Sequence, residues 1–488
     1  MSFQAPYPPY DPTDKKGFSY DTVVTRWPII ITSIIDEVHN VCHFLVLESQ
    51  SLEDEAKKAS IGERIKEGNE IVAKISKLKY EMARDRALEL IHDEEPHADV
   101  YNEELKKLEE DKRNTWFTAP WLYAECYLYR LLRSYFVATT QWKDYDPFRL
   151  SKLKMFKGSK ASILKIATTM HELEKTRLEL EADPSKREAL FNEMVQMCLW
   201  GNATDLSLLT HMTEEDIRNL QTVEKEAQAA RSKFILKDDQ QKVWNHLEAQ
   251  NGARVDFVLD NSGFELFTDL VFADFLVTYT PHVDTVVFHP KLIPWFVSDV
   301  LPPDFTETLT LLADGPTTFT SPSPTPSSTP FDTSTEESFA HLASLVQRWQ
   351  KYIDDGVFKL PVPLDTPLGG GGEKGRKAEF WTTPYPYWDM EKLDGELVKD
   401  LKESGLVIFK GDLNYRKLTG DIKWPAWTPF NEALGPLAGA FPLLSLRTNK
   451  ADVAVGVPKE VAERLDAAEE PWRVNGRYAL ISFVPASA

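Results

Sequence analysis

The chain has 488 residues, a formal net charge of -20 and a hydrophobic fraction of 42%, which suits about two or three domains with substantial cores. That charge excludes a non-specific grip on a phosphodiester backbone, so nucleic acid is not an expected partner, although a local pair of cations or a metal still recruits a small anion. Cys42, Cys126 and Cys198 are too sparse for a disulfide framework and lack metal-ligand spacing, which points to a reducing compartment.

The opening stretch "MSFQAPYPPYDPTDKKGF" lacks the apolar core of a signal peptide. No uninterrupted apolar run of spanning length is seen. The expectation is a cytoplasmic protein, with the nucleus as a further location, no membrane partner, and protein partners unknown. From about Trp27 to Glu248 the helical period dominates, in "PIIITSIIDEVHNVCHFLV", "IGERIKEGNEIVAKISKLKYEMARDRALELI", "TWFTAPWLYAECYLYRLLRSYF", "ASILKIATTMHELEKTRLELEA" and "EEDIRNLQTVEKEAQAARSKFIL". Asp183-Pro184 and Gly201-Asn202 mark breaks between helices. Residues 1–250 are therefore expected to form a mainly helical domain with bundle-like packing.

After Gly252 the period changes. "VDFVL", "TVVFHP", "LVIF", "FPLLSL" and "YALISFV" read as strands, separated by helices at "FELFTDLVFADFLVTY", "ESFAHLASLVQRWQKYIDDG" and "MEKLDGELVKDLKESG". Strands alternating with helices predict a mostly parallel sheet covered on both faces over 251–488. Two insertions interrupt it. A Pro/Ser/Thr-rich stretch near 314–338 is expected to be disordered. A glycine run near 367–377, "PLGGGGEKGRK", lacks the strand-to-helix grammar of a phosphate loop and is expected to be flexible.

Ligands of open α/β sheets bind beyond the carboxyl ends of the strands. Residues in those positions are Asp260 and Asn261 after the first strand, His289 and Lys291 after the second, and Asp299 further on. Asp412, Asn414, Tyr415, Arg416 and Lys417 follow the third, and Arg447 and Lys450 the fourth. Asp260, Asp299 and the Asn261 amide oxygen form an all-oxygen set suited to Mg²⁺ or Mn²⁺. Arg416, Lys417, Arg447 and Lys450 are candidates to hold a phosphoryl group.

Each element also has a plainer reading. Asp260-Asn261 can cap the following helix. Asp299, Arg447 and Lys450 can be surface charges, and "GDLNYRKL" an ordinary turn and helix. Glu265 is either a cap or a carboxylate turned toward the site. His289 either moves a proton or holds its loop. Glu125, set among apolar residues, either pairs with Arg130 or Arg133 or faces an interdomain pocket. Asn202 and Asp205 of "WGNATDLS" are either caps or pocket wall. His39 and His43 stand four apart, but without the Glu or third ligand of a zinc site.

The ordered set "TAPWLYAECYLYR", "WGNATDLS", "FVLDNSGFELFTDLVFADFL", "FHPKLIPWFVSDV", "GDLNYRKL" and "RTNK" resembles the metal-dependent damage-control phosphatases, first named as domain of unknown function eighty-nine, in their third subfamily. The resemblance spans nearly the whole chain apart from the low-complexity insertions. It implies a helical N-terminal region attached to a three-layer α/β/α Rossmann-like domain. It also implies a divalent metal on Asp260, Asn261 and Asp299, with Mn²⁺ or Mg²⁺ foremost and Co²⁺ or Ni²⁺ also accepted. Asp412, Leu413, Asn414, Tyr415 and Arg416 would line a phosphosugar site, with Lys450 on the phosphate, and the substrates implied are fructose 1-phosphate, fructose 6-phosphate and related small phosphorylated metabolites. In that reading Asp260, with Asn261, is catalytic and orients or deprotonates the attacking water.

Two rival functions accompany this one. Relatives have been described as S-adenosylmethionine-dependent protein-glutamate carboxyl methyltransferases, but a glycine-rich cofactor turn is missing here and cationic phosphate clamps serve no purpose in methyl transfer. A non-catalytic phospholigand-binding scaffold is the other.

Overall fold

Continuous apolar runs become buried strands because both faces of the sheet are covered. The computed structural model of the chain describes residues 3–201, 233–320 and 336–487. Its seven strands are β1 (Ile235–Asp238), β2 (Ala253–Val258), β3 (Val283–His289), β4 (Phe358–Lys359), β5 (Leu406–Lys410), β6 (Leu443–Thr448) and β7 (Ala479–Val484). Their order is β1-β7-β6-β5-β2-β3-β4. Only β6 and β7 pair antiparallel, so the sheet is mostly parallel, as the strand–helix alternation predicts.

The register sets up the site. Val258 of β2 lies between His289 of β3 and Phe409 of β5, so these three strands end at one level. The chain leaves β2 for β3 on one side and reaches β5 on the other. The carboxyl ends of β2 and β5 therefore flank the topological switch point, where α/β sheets open a crevice. The strongly apolar helix Phe264–Tyr279 follows β2 and is buried along almost its whole length.

The N-terminal helices form as their period predicts. Helix Trp27–Ser51 buries Trp27, Ile31, Ile34, Val38, Cys42 and Leu45, three or four residues apart, against helix Glu55–Ala83. Within the continuous helical stretch Phe18–Ser51, 34 residues long, an 18-residue window reaches a mean hydropathy of 1.4, so by length and composition alone this helix is long and apolar enough to cross a bilayer. The expectation concerned an uninterrupted apolar run, and this helix is not one: polar residues such as Asp36 and Glu37 break it without lowering the mean of that window below the level of a spanning helix.

Two apolar cores organise the molecule. One joins residues between Val23 and Phe148 with Ile293, Trp295, Leu413 and Ala451. The other surrounds the sheet and takes in Phe156 through Trp200. Helices Lys160–Lys175 and Pro184–Trp200 thus share the sheet's core, and β1 enters the sheet from upstream of residue 251. A helical period does not distinguish a helix that covers a sheet from one that packs in a bundle. Ile235 and Leu236, expected at a helix end, lie in β1, which backbone pairing to β7 creates.

The glycine run, expected as a flexible insertion, makes specific contacts in the structure. Gly369, Gly370, Gly371 and Gly372 all adopt positive φ, between +61° and +91°, which side chains disfavour. Gly369 N donates to Leu292 O at 2.7 Å, and a Cβ there would lie 2.2 Å from Glu95 Oε1. Of the Pro/Ser/Thr-rich stretch expected to be disordered, Gly315–Thr320 forms a short helix and Glu336 already begins helix Glu336–Asp354. Residues 321–335 lie outside the described residues.

Candidate active site

Asp260 and Asn261 emerge just past β2, where backbone pairing brings a second segment to them. Val300 N donates to Asp260 O at 2.9 Å and Ser262 N to Ser298 O at 2.7 Å. Asn261 and Asp299 form an antiparallel bridge. Two residues 38 positions apart in the chain are thereby fixed side by side. The loop delivering Asp299 is strained, since Phe296 and Val297 have φ of +44° and +72°. For a β-branched valine that conformation is an outlier, costing about 1–3 kcal/mol. The Phe296 ring stacks on Tyr129 at 4.9 Å, which helps hold it.

The side chains form one buried network. Asn261 Nδ2 donates to Asp260 Oδ2 at 2.7 Å and to Glu265 Oε2 at 2.8 Å, while Asn261 Oδ1 accepts from Ser298 Oγ. Lys291 Nζ donates to Leu259 O at 2.7 Å and lies 3.1 Å from Asp299 Oδ2. Lys410 Nζ lies 3.1 Å from Glu265 Oε1 and 2.5 Å from Asp269 Oδ1. All of these acids and lysines are buried.

The balance of charge is unequal. Among the described residues, Asp260, Glu265, Asp269 and Asp299 are met by two fully buried ammonium groups, Lys291 and Lys410, and the half-buried Lys450 adds its charge near Asp260. Burial, then the neighbouring Glu265 and Asp299 charges, pushes the Asp260 carboxyl well above its ordinary range. Burial likewise pushes Asp299 up to about 6 in spite of Lys291. Among the described residues the carboxylates here still outnumber the ammonium groups, and a cation would relieve their repulsion. Among the described residues no three His, Cys, Asp or Glu side chains gather into a metal cage. Asp260, Asp299 and the Asn261 amide oxygen are hard donors of the kind that suits Mg²⁺ or Mn²⁺, with that amide oxygen turned to Ser298 and the amide nitrogen on Asp260.

The helix Gly411–Thr419 follows β5 and carries the remaining predicted group. Arg416 is buried between Glu125 at 2.5 Å and Asp421 at 3.0 Å, and its guanidinium lies 3.6 Å from the Trp121 ring centroid. Glu125 therefore reaches across to Arg416 rather than to Arg130 or Arg133, which pair with Asp93 and Glu95. Asp412 Oδ1 accepts from Arg447 Nε at 2.7 Å and from Lys450 N at 3.0 Å. Asn414 is saturated: its oxygen accepts from Tyr387 OH, and its Nδ2 faces the Val258, Leu259 and Lys410 carbonyls. It staples the ends of β2 and β5 together.

Leu413 packs into the helical core. Tyr415 OH accepts from Val455 N at 2.9 Å beneath the Arg447 guanidinium. Lys417 donates to the Thr383 and Tyr385 carbonyls. His289 contacts Asp256 Oδ1 at 2.8 Å, inside the sheet, which gives it a holding role. Lys450 is half-buried, its charge reaches Asp260, and its ammonium has no hydrogen bond or ion pair among the described residues. Asn202 and Asp205 lie outside the described residues.

The model of the damage-control phosphatase ARMT1-like domain matches residues 22–465. The chain belongs to this family. It is 33% identical over 481 residues to damage-control phosphatase ARMT1 of Danio rerio, covering 96% of this chain and 94% of that protein. The Xenopus laevis protein of the same name is 32% identical over 486 residues, covering 95% and 96%. The Homo sapiens protein is 30% identical over 483 residues, covering 96% and 97%.

In this ARMT1-like phosphatase, strand-end reasoning left Lys410, Asp269, Asp256 and Asp421 out of the site. Lys410 ends β5 in "LVIFKG" and carried a usable signal, a lysine closing an otherwise apolar strand. Asp269 and Asp274 sit in a helix that is buried all round, where a carboxylate demands a partner. Asp421 gave no local signal, because its partner Arg416 is defined only by the turn after the helix.

Proposed function

We propose that this damage-control phosphatase family member hydrolyses small sugar phosphates, such as fructose 1-phosphate or fructose 6-phosphate, with a divalent cation held by Asp260, Asn261 and Asp299. The observation that carries the reading is the excess of buried carboxylates at the switch point, with Lys450 beside it, whose ammonium is uncommitted among the described residues. Mn²⁺ or Mg²⁺ suits the hard oxygen donors, and Co²⁺ or Ni²⁺ is compatible. A bound divalent cation supplies Lewis-acid polarisation of a phosphoryl oxygen and a more acidic water.

The chain's own residues do the rest. Lys450 places a point charge against the phosphoryl oxygens, where negative charge is held during transfer. Asp260 orients the water that attacks phosphorus, and the ester oxygen leaves with a proton as the free sugar hydroxyl, releasing inorganic phosphate. Asp412, fixed by Arg447, meets sugar hydroxyls in this reading. Arg416 and Asn414 support that wall through their own partners, since both are already engaged.

The test is phosphate release from a panel of sugar phosphates by the purified chain, with chelator and then with added Mn²⁺ or Mg²⁺. Turnover abolished by chelation, restored by metal and lost in Asp260→Ala is the expected result. Full metal-dependent release by Asp260→Ala refutes the assignment. Ligand protection against unfolding without release leaves a binding protein instead.

A further inference from the structure

Lys410 closes β5 with its side chain 1% exposed. Its ammonium meets three groups from two other elements: Glu265 Oε1 and Asp269 Oδ1 of helix Phe264–Tyr279, and the Cys198 carbonyl of helix Pro184–Trp200, at 3.1, 2.5 and 3.1 Å. Glu265 and Asp269 stand four apart on one helix face and would repel without it. Lys410 therefore fixes where Glu265 Oε1 lies.

The second Glu265 oxygen accepts from Asn261 Nδ2 at 2.8 Å. A carboxylate only accepts hydrogen bonds, so Glu265 dictates which end of the amide faces it. The amide nitrogen must point to Glu265 and Asp260, and the amide oxygen must turn the other way, toward Ser298. Asn261 Oδ1 is the neutral donor of the cation site proposed above.

We propose that Lys410 is a positioning residue: through Glu265 it sets the orientation of the Asn261 amide and so the strength with which the site takes a divalent cation. This rests on the metal-binding reading of Asn261. Partners that orient a ligand typically contribute about 10–100-fold in metal affinity, and residues acting through one another are non-additive.

The experiment measures Mn²⁺ binding without substrate, by loss of the free-ion electron paramagnetic resonance signal, in the full chain and in Lys410→Met, Glu265→Gln and the double variant. Each single substitution is expected to weaken Mn²⁺ binding about 10–100-fold, and the double variant no further than the weaker single. A merely structural lysine would lower the melting temperature and leave Mn²⁺ affinity of the folded protein unchanged, which overturns the proposal. So does a double variant that loses the product of both singles. If Lys410→Met does not fold, Lys410→Gln replaces it, and a folded Glu265→Gln that binds Mn²⁺ at wild-type strength is again decisive against the proposal. An unsubstituted chain that takes no Mn²⁺ refutes the metal site itself and this inference with it, whereas binding that ignores residues 265 and 410 refutes this inference alone.

Discussion

Gly411 and Asp260 share a space that holds only one of them with a side chain: a Cβ on Gly411 would lie 1.9 Å from Asp260 Oδ2 and 2.3 Å from its Cγ. The backbone there has φ of +81°, which glycine adopts freely. The end of β5 is thereby pressed against the carboxylate that ends β2. Gly411→Ala is expected to cost about 1–3 kcal/mol of stability. It also displaces Asp260, so turnover should fall by at least about tenfold, since small misplacements of reacting groups are costly. Denaturant melts and phosphate-release rates on the same preparation check both.

Lys450 has no ion pair to lose among the described residues, so Lys450→Met should fold with little change in melting temperature. The loss of a charge-assisted contact to phosphate corresponds to about 1.5–3 kcal/mol. The expected outcome is a fall in kcat/KM of about 10–150-fold, read from steady-state kinetics on a sugar phosphate.

Arg416 behaves oppositely. It joins Glu125 of the helical region to Asp421 of the α/β region, and Arg416→Met leaves two buried carboxylates without a counter-charge. A destabilisation of about 3–5 kcal/mol is expected. Adding Glu125→Gln and Asp421→Asn should recover much of it, because no buried charge is then left alone. Urea unfolding of the single and triple variants makes the comparison, and a single variant as stable as the parent chain would remove Arg416 from this joining role.

Asp256 provides an acid-sensitive element. Burial alone raises its carboxyl, but the hydrogen bond and charge of His289, then Arg254 and Ser404, hold it below its ordinary 3.8. A depressed carboxyl contributes stability that is present above the unfolded value and lost as pH falls through the folded one. The stability advantage of the parent chain over Asp256→Asn should therefore shrink as pH falls below about 3.8. Thermal melts of both proteins across that range provide the measurement.

Local pattern determined much of this protein. The apolar runs of β2, β3, β5, β6 and β7 and the three-to-four spacing of helix Trp27–Ser51 are properties of neighbouring residues, so the sequence displayed them directly. The polar break at Asp260-Asn261 and the later Asp299 were legible for the same reason. β1 and β4 were not, because strands of four and two residues exist only through the partners that pair with them. Nor were the ion-pair partners. Arg416 looked like a free phosphate clamp until folding brought Glu125 to it from 291 positions away, and Lys410 had no visible role until helix Phe264–Tyr279 turned Glu265 and Asp269 toward it. Hydrophobic period and strand ends are written along the chain, but which charge neutralises which is decided only when distant segments converge in a buried space where an unpaired charge is costly.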